Sequence, residues 1–385
     1  MWKCVATAGL VAFAASLLYW NDVSANPLNN PSVDFSDRNL VIDGDMRIIQ
    51  GGATFNALTA SQYTLDNWAW EDEGTTSASI NITQTTTVPT VAQAGIDLEN
   101  SIRIDVATAE TLGTDERLLL VQRIEAQDVT HFGHGNAGAL PAYLSFWIRS
   151  TITGVMAVNL DRPDGSERFI REVTISAADT WEYKSVVFPG DTDGTDIADD
   201  TGIGLVIEFV MAAGSSNDAG TADVWGTNAD TSSATANQAN LLSDAANDVY
   251  ISGVKFSMGS VDKPFRPAPY SYELARTQRY YNRINYADDQ DIVGTGFSET
   301  TTVCQVHVTY PQMRAAPTIT DNAGDEFEVL HQGTVSASSS VATTVGITPT
   351  GFNFEVTTGA VQTAGEGCLV RSDTTGVYIE MDARL

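Results

Sequence analysis

The densest group of potential ligands in this chain is the loop Gly190-Asp191-Thr192-Asp193-Gly194-Thr195-Asp196-Ile197-Ala198-Asp199-Asp200, which places five carboxylates within residues 191–200. An oxygen-rich loop suits a hard cation such as calcium, and Asp191, Asp193 and Asp196 are its candidate ligands. The loop departs from the EF-hand template in the positions of its glycine and of the terminal glutamate. His131-Phe132-Gly133-His134 sets two imidazoles near Asp128. Further ligands would have to come from the fold, and an exposed turn is the plainer reading. A second chemistry belongs to the aromatic residues. A flat ring can stack on the apolar face of a pyranose while amides and carboxylates around it take the hydroxyl hydrogen bonds. Trp70, Trp147, Trp181, Tyr183 and Trp225 are the candidates for carbohydrate binding, whereas Trp68 is assigned to the core. Packing is the commoner fate of any one such ring.

Signatures of catalysis are missing from the sequence. It contains no G-x-S-x-G elbow, no phosphate-binding P-loop and no G-x-G-x-x-G after a strand. Glycoside hydrolysis needs two carboxylates about 5–9 Å apart, but with 49 acidic residues chance neighbours are too common for sequence proximity to identify such a pair. The length and repeat pattern of a β-helix depolymerase are absent. The expectation is a chain that is not an enzyme and carries no cofactor, a structural calcium ion apart.

Charge removes another class. Of 385 residues, 49 are acidic and 20 basic, giving a net charge of −29 with only four lysines: Lys3, Lys184, Lys255 and Lys263. Binding to nucleic acid requires clustered cations that displace counterions from phosphates, so no nucleic-acid partner is expected. The hydrophobic fraction of 43% is enough to fill a core, unlike that of a disordered acidic tail.

Strand signals fill the chain. Leu144, Phe146 and Ile148 alternate with Ser145, Trp147 and Arg149, and Leu205, Ile207 and Phe209 alternate with Val206, Glu208 and Val210, the period of two expected of strands with differently packed faces. Residues 181–188 read as another strand stopped by Pro189-Gly190, and strands are also expected over 249–256, 302–309 and 352–357. Two stretches break the pattern. Residues 212–248 are small and polar with Trp225 as their one aromatic, which marks a functional loop or a flexible excursion. From Tyr270 to Ile284, Tyr270, Leu274, Tyr281 and Ile284 recur at helical spacing, with Ser271 as N-cap and Arg276, Arg279 and Arg283 toward the C-terminal end. The fold expected from this pattern is all-β, a sandwich or jelly roll rather than a parallel α/β sheet, with one helix between two β domains.

Ahead of it, an apolar run from Cys4 to Trp20 is followed by a small-x-small pattern ending at Ala25. Residues 1–25 read either as a secretory signal cut after Ala25 or as an uncleaved apolar segment, with 26–37 as linker. The other two cysteines, Cys304 and Cys368, suit a disulfide in an oxidising compartment or two buried thiols equally well.

Three motifs resemble one family. Residues 39–50 (N-L-V-I-D-G-D-M-R-I-I-Q) followed by Tyr63-Thr64-Leu65-Asp66-Asn67-Trp68 look like the opening of bacteriophage tail-fibre and virion appendage proteins. Residues 253–267, leading into Tyr272-Glu273-Leu274-Ala275-Arg276-Thr277-Gln278-Arg279-Tyr280-Tyr281, are similar to that family's G-V-Q-L-E segment and the E-L-x-x-C-Q-R-Y-Y run that follows it. Residues 311–318 (P-Q-M-R-A-A-P-T) resemble its M-R-A-x-P-T strand. The matches span about residues 39–317. Thr277 stands at the usual cysteine position, and Lys255-Phe256-Ser257 replaces Q-L-E. The resemblance implies a carbohydrate-binding-module-like jelly-roll β-sandwich over 38–266, a linking helix over 267–286 and a smaller C-terminal β-sandwich over 287–385, in a homotrimer at the virion surface that recognises host-surface glycan or receptor beside other virion proteins. The apolar leader is unusual for a virion protein, so two alternatives stand beside this one: a secreted, extracellular lectin-like protein of a bacterium, and a purely structural head-fibre or decoration protein.

Overall fold

Side chains that alternate along 144–149 fall on opposite faces of one strand. In the computed structural model, which describes residues 38–321, 326–338, 343–359 and 362–385, that strand is β7 (Ala142–Ser150), and Leu144, Phe146 and Ile148 are fully buried. The leader over 1–25 and the linker over 26–37 lie outside the described residues.

Two antiparallel sheets hold the larger core. The first runs β1 (Thr54–Leu58), β4 (Ser79–Thr85), β5 (Ser101–Thr108), β13 (Asp248–Met258), β7, β10 (Glu182–Phe188). The second runs β12 (Trp225–Thr227), β9 (Glu167–Ile175), β8 (Gly154–Arg162), β11 (Ile203–Ala213), β6 (Arg117–Glu125), β3 (Ala69–Glu73), β2 (Gln62–Tyr63). The chain crosses between the sheets after β1, β3, β5, β6, β7, β9, β10 and β12, which is jelly-roll connectivity. Leu144, Phe146, Phe209, Trp68 and Phe256 meet between the sheets, with Phe146 edge-on to Phe209 at 5.0 Å.

Residues 212–248 are not a free excursion. They fold back as a strap over the outer face of the second sheet, burying Ser233 and Ala234 there, before Leu241 and Leu242 enter the core between the sheets. Gln238 fixes the strap by accepting from Ala157 N–H at 2.7 Å and donating to the Val210 carbonyl at 3.0 Å. The strap explains why β11 is apolar on both faces: Val206 and Val210 pack with Leu119, Val121 and Ala234 on the strapped side.

The helix is shorter than expected. α1 covers Tyr270–Gln278 with Pro269, not Ser271, as N-cap, and Tyr281–Tyr286 is strand β14, paired with β23 (Val377–Asp382). Aromatic and β-branched side chains at 281, 284 and 286 fit a strand as readily as a helix face, and pairing with the last strand decides between them. β14, β23 and β17 (Thr318–Asp321) form one small sheet. Its partner runs β19 (Thr334–Ala337), β18 (Phe327–His331), β22 (Gly367–Ser372), β15 (Ile292–Ser298), β16 (Val303–Thr309), β21 (Gly351–Thr357), β20 (Thr343–Thr348). A separate core gathers Phe327, Phe352, Phe354, Ile379 and Met381, and Cys304 on β16 is bonded to Cys368 on β22.

Asn39–Leu385 is one unit, and the basic residues near α1 help to join its two cores. Arg279 donates to the fully buried Glu125 at 2.8 and 2.6 Å, and Tyr280 Oη donates to it at 2.7 Å. Glu273 accepts from Asp43 N–H at 2.6 Å, and Arg276 donates to the Leu40 carbonyl at 3.1 Å. Two of the motifs behind the family resemblance, 39–50 and 272–281, therefore meet in space.

Candidate functional site

A jelly roll offers two outer sheet faces to a ligand. On the second sheet that face is closed by side chains as well as by the strap. Arg168 forks onto Asp161 at 2.7 and 2.6 Å, reaches Glu208 at 3.0 Å and donates to Ser233 Oγ at 3.1 Å. Asn228 donates to Asp161 at 3.0 Å, and Arg117 pairs with Asp230 at 2.9 Å. All three charged residues of this centre, Asp161, Arg168 and Glu208, are buried. One guanidinium faces two carboxylates, so burial, followed by repulsion from Glu208, pushes Asp161 up to about 8. An aspartate in the unfolded chain titrates near 4. Between those values the folded state holds the extra proton, so this contribution to stability is complete below about pH 4 and is lost as pH rises toward 8. Urea midpoints of the wild type are expected to fall from pH 5 to pH 8 by more than those of Asp161→Asn.

Trp225 lies at the edge of this closed face. Its indole packs edge-on against Phe169 at 5.4 Å and His134 at 5.7 Å, and Nε1 donates to the Pro189 carbonyl at 3.0 Å. Trp70 and Trp68 are fully buried in the core, so Trp70 offers no face to a sugar. The expected exposed turn at 131–134 holds for His131 alone. His134 is buried between Phe132 and Trp225, and desolvation lowers it to about 4.

The acidic loop converges on a cation, but one the chain supplies itself. Arg162 is fully buried and pairs with Asp191 at 2.7 Å and Asp193 at 2.5 Å, while also donating to the Thr195 carbonyl. Asp196 points elsewhere and accepts from Asn136 Nδ2 at 2.8 Å. Among the described residues, no three His, Cys, Asp or Glu side chains are grouped to hold a metal. Calcium takes six to eight oxygens, and here two of the three candidate carboxylates are already neutralised by a guanidinium. The melting temperature is expected to be the same with and without EDTA; a fall of several degrees on chelation would restore the ion.

On the first sheet the outer face is aromatic and polar. β10 pairs with β7 so that Tyr183 lies directly across from Trp147, and β13 sets Ser252 on Trp147's other side. The two rings stand 5.3 Å apart at 53°, both partly exposed. One residue pair along the strands, Tyr250 on β13 lies between Arg103 on β5 and Arg149 on β7. Their guanidinium carbons sit 5.9 and 5.1 Å from its ring, and Trp181 packs edge-on to it at 6.2 Å. Both arginines are held by carboxylates: Arg103 by Asp248 at 2.8 Å and Arg149 by Asp179 at 2.9 Å. The face is therefore locally balanced, although the protein is strongly acidic.

A groove of about 300 Å³ opens on this face. Three stretches line it: Gln93, Ala94, Ile96 and Leu98 after β4; Trp147 and Tyr183; and Asp262, Pro264 and Phe265 after β13. Tyr183 Oη donates to Asp262 at 2.7 Å, and burial first, then that bond and the Asp262 charge, raise its pKa against the lowering effect of Ser145. A bulge in β13 shapes the groove. Pairing with β7 shifts register between Ser252 and Lys255, and Gly253 takes φ +59° there. A side chain at 253 would be strained in that conformation, and its first carbon would touch Leu98 and the Trp147 ring at 3.4 Å.

Of the five aromatic candidates, the structure brings Trp147 and Tyr183 together, sets Trp181 beside them, and places Trp70 and Trp225 elsewhere. Sequence reasoning missed Tyr250, Arg103, Arg149, Asp262 and Gln93. Tyr250 was within reach, because in an expected strand it shares a face with Ser252 and alternates with the apolar Val249 and Ile251. The others depend on strand register and loop closure.

No protein-family model matches the chain, and no curated protein matches it. Among solved structures, it is similar to the enzymatically active domain of bacteriophage CBA120 tailspike protein 4, with 15% identity and a TM-score of 0.29 over 53% of this chain and 21% of that one. It therefore aligns with about a fifth of that tailspike domain's length. It is also similar to a Bacteroides thetaiotaomicron protein provisionally described as sugar-binding, at 14% identity and TM-score 0.32, over 57% of this chain and 100% of that one. A family 11 carbohydrate-binding module of a Clostridium thermocellum cellulosomal cellulase gives 12% identity and TM-score 0.27 over 55% and 99%. Scores this low transfer no activity, and the jelly-roll assignment rests on the strand order itself.

Proposed function

We propose that this protein is a non-catalytic glycan-binding protein whose recognition surface is the outer face of the first sheet, and that it serves in host recognition as a virion appendage. The observation that carries the reading is the Trp147–Tyr183 pair: two partly exposed rings aligned across neighbouring strands, bordered by a carboxylate and an amide in one groove. Stacked aromatics with a few convergent polar groups are what a pyranose needs. The non-catalytic reading rests on the catalytic motifs missing from the sequence; Asp161 and Glu208, a close carboxylate pair, are buried and bound to Arg168 rather than open to a substrate. The virion placement, the homotrimer and contact with other virion proteins rest on the tail-fibre motifs.

One observation favours a second reading. The Cys304–Cys368 bond belongs to an oxidising compartment, which suits a secreted lectin-like protein of a bacterium. Cryo-electron microscopy of purified particles, with a glycan array probed by the isolated protein, tests both. Protein on the particle together with a glycan signal supports the appendage; a glycan signal with no protein on particles supports the secreted lectin; protein on particles with no glycan or cell binding contradicts the recognition role.

A further inference from the structure

The groove's polar atoms sit on opposite flanks. Gln93 is held by its own turn: Oε1 accepts from Thr90 N–H and Thr90 Oγ1, both at 3.0 Å. That orientation leaves the NH2 group as what Gln93 can offer the groove, a donor. Its stretch of chain lies over β13, where Leu98 neighbours Gly253. On the other flank Asp262 is tied to Tyr183 on β10 through Oδ1, and Oδ2 has no hydrogen bond among the described residues, so Asp262 offers an acceptor. Two strand spacings, about 10 Å, separate β13 from β10, with the Trp147 ring between them and Ile96, Leu98 and Pro264 supplying apolar walls. None of the lining residues is cationic.

We propose that this groove selects sugars carrying an acetamido group, the N-acetylated amino sugars, over hydroxyl-only and anionic sugars; the inference rests on the glycan-binding reading above. A trans secondary amide points its N–H and its C=O in opposite directions. The acceptor Asp262 on one flank and the donor Gln93 on the other match that pair, while the apolar walls receive the methyl group. A hydroxyl in the same place satisfies one flank and leaves the methyl-sized volume empty. A uronate or sialate carboxylate meets Asp262 with no cation in the groove to offset it.

The test is a glycan array that presents matched oligosaccharides differing only in the C2 substituent, acetamido against hydroxyl, with acidic glycans alongside. It is probed with wild type, Trp147→Ala and Asp262→Ala. Wild type is expected to bind acetamido members at least about tenfold more tightly than their hydroxyl partners, since sites built to hydrogen-bond a group reject analogues lacking it. Asp262→Ala is expected to bring that ratio below about threefold, and Trp147→Ala to remove binding of both. Equal binding of matched pairs, lost in Trp147→Ala, overturns the acetamido preference and leaves the glycan site standing, as does an acidic glycan bound best through Trp147. No array signal that depends on Trp147 overturns both.

Discussion

Replacing Arg168 with leucine is expected to destabilise the protein by about 3–5 kcal/mol, the cost of leaving a buried charge without its partner. The effect is large because Arg168 serves two purposes. It neutralises Asp161 and Glu208 within the second sheet, and through Ser233 it holds the strap over that sheet. Removing it leaves two carboxylates facing each other in a buried site and loosens the cover above them. Equilibrium unfolding in urea measures the loss. The triple variant Arg168→Leu, Asp161→Asn, Glu208→Gln is expected to recover part of it, because the groups share one network and their effects are not additive. A change below about 1 kcal/mol in the single variant would mean that water reaches the network and that the strap does not seal the face.

Trp147→Ala is expected to weaken glycan binding by about 2 kcal/mol or more, roughly 30-fold, the range of an aromatic anchor at the centre of a recognition surface. Trp147 is partly exposed on the outward side of β7, so the variant should fold. Trp225→Ala should behave in the opposite way. That ring belongs to the strap, on edge strand β12, and packs on Phe169 and His134, and its removal is expected to lower stability while leaving affinity unchanged. Titration calorimetry beside thermal melting separates the two outcomes, and a binding loss in Trp225→Ala equal to that in Trp147→Ala would move the site to the strapped face.

Periodicity carried much of the fold. The alternation of Leu144, Phe146 and Ile148 with Trp147 already states that Trp147 faces away from the core, and the strand over 181–188 already contains Tyr183. What periodicity does not contain is register, because the pairing of Tyr183 with Trp147 joins residues far apart in sequence and is set by the whole sheet. The acidic loop shows the same limit. Its carboxylates are local, but the charge that answers them, Arg162, comes from another strand, so a ligand cage and an internal salt bridge look alike in sequence. The strap escaped for a related reason. Small polar residues read as solvent-loving until Gln238, Ser233 and Asn228 are seen to satisfy buried partners on β8, β9 and β11. At the helix, Tyr281 and Ile284 fit both a helical stripe and a strand, and the pairing of β14 with the last strand settled it.

The central claim is that the outer face of the first sheet is where glycan binds. It is tested most directly by following the indole N–H resonances of the tryptophans while a binding oligosaccharide is added. Trp147 and Trp181 lie on that face, Trp68 and Trp70 lie in the core, and Trp225 lies on β12 at the edge of the second sheet. The account predicts that the Trp147 signal moves with ligand, that Trp181 moves less, and that Trp68, Trp70 and Trp225 stay in place. A shift of Trp225 with Trp147 unmoved would contradict it.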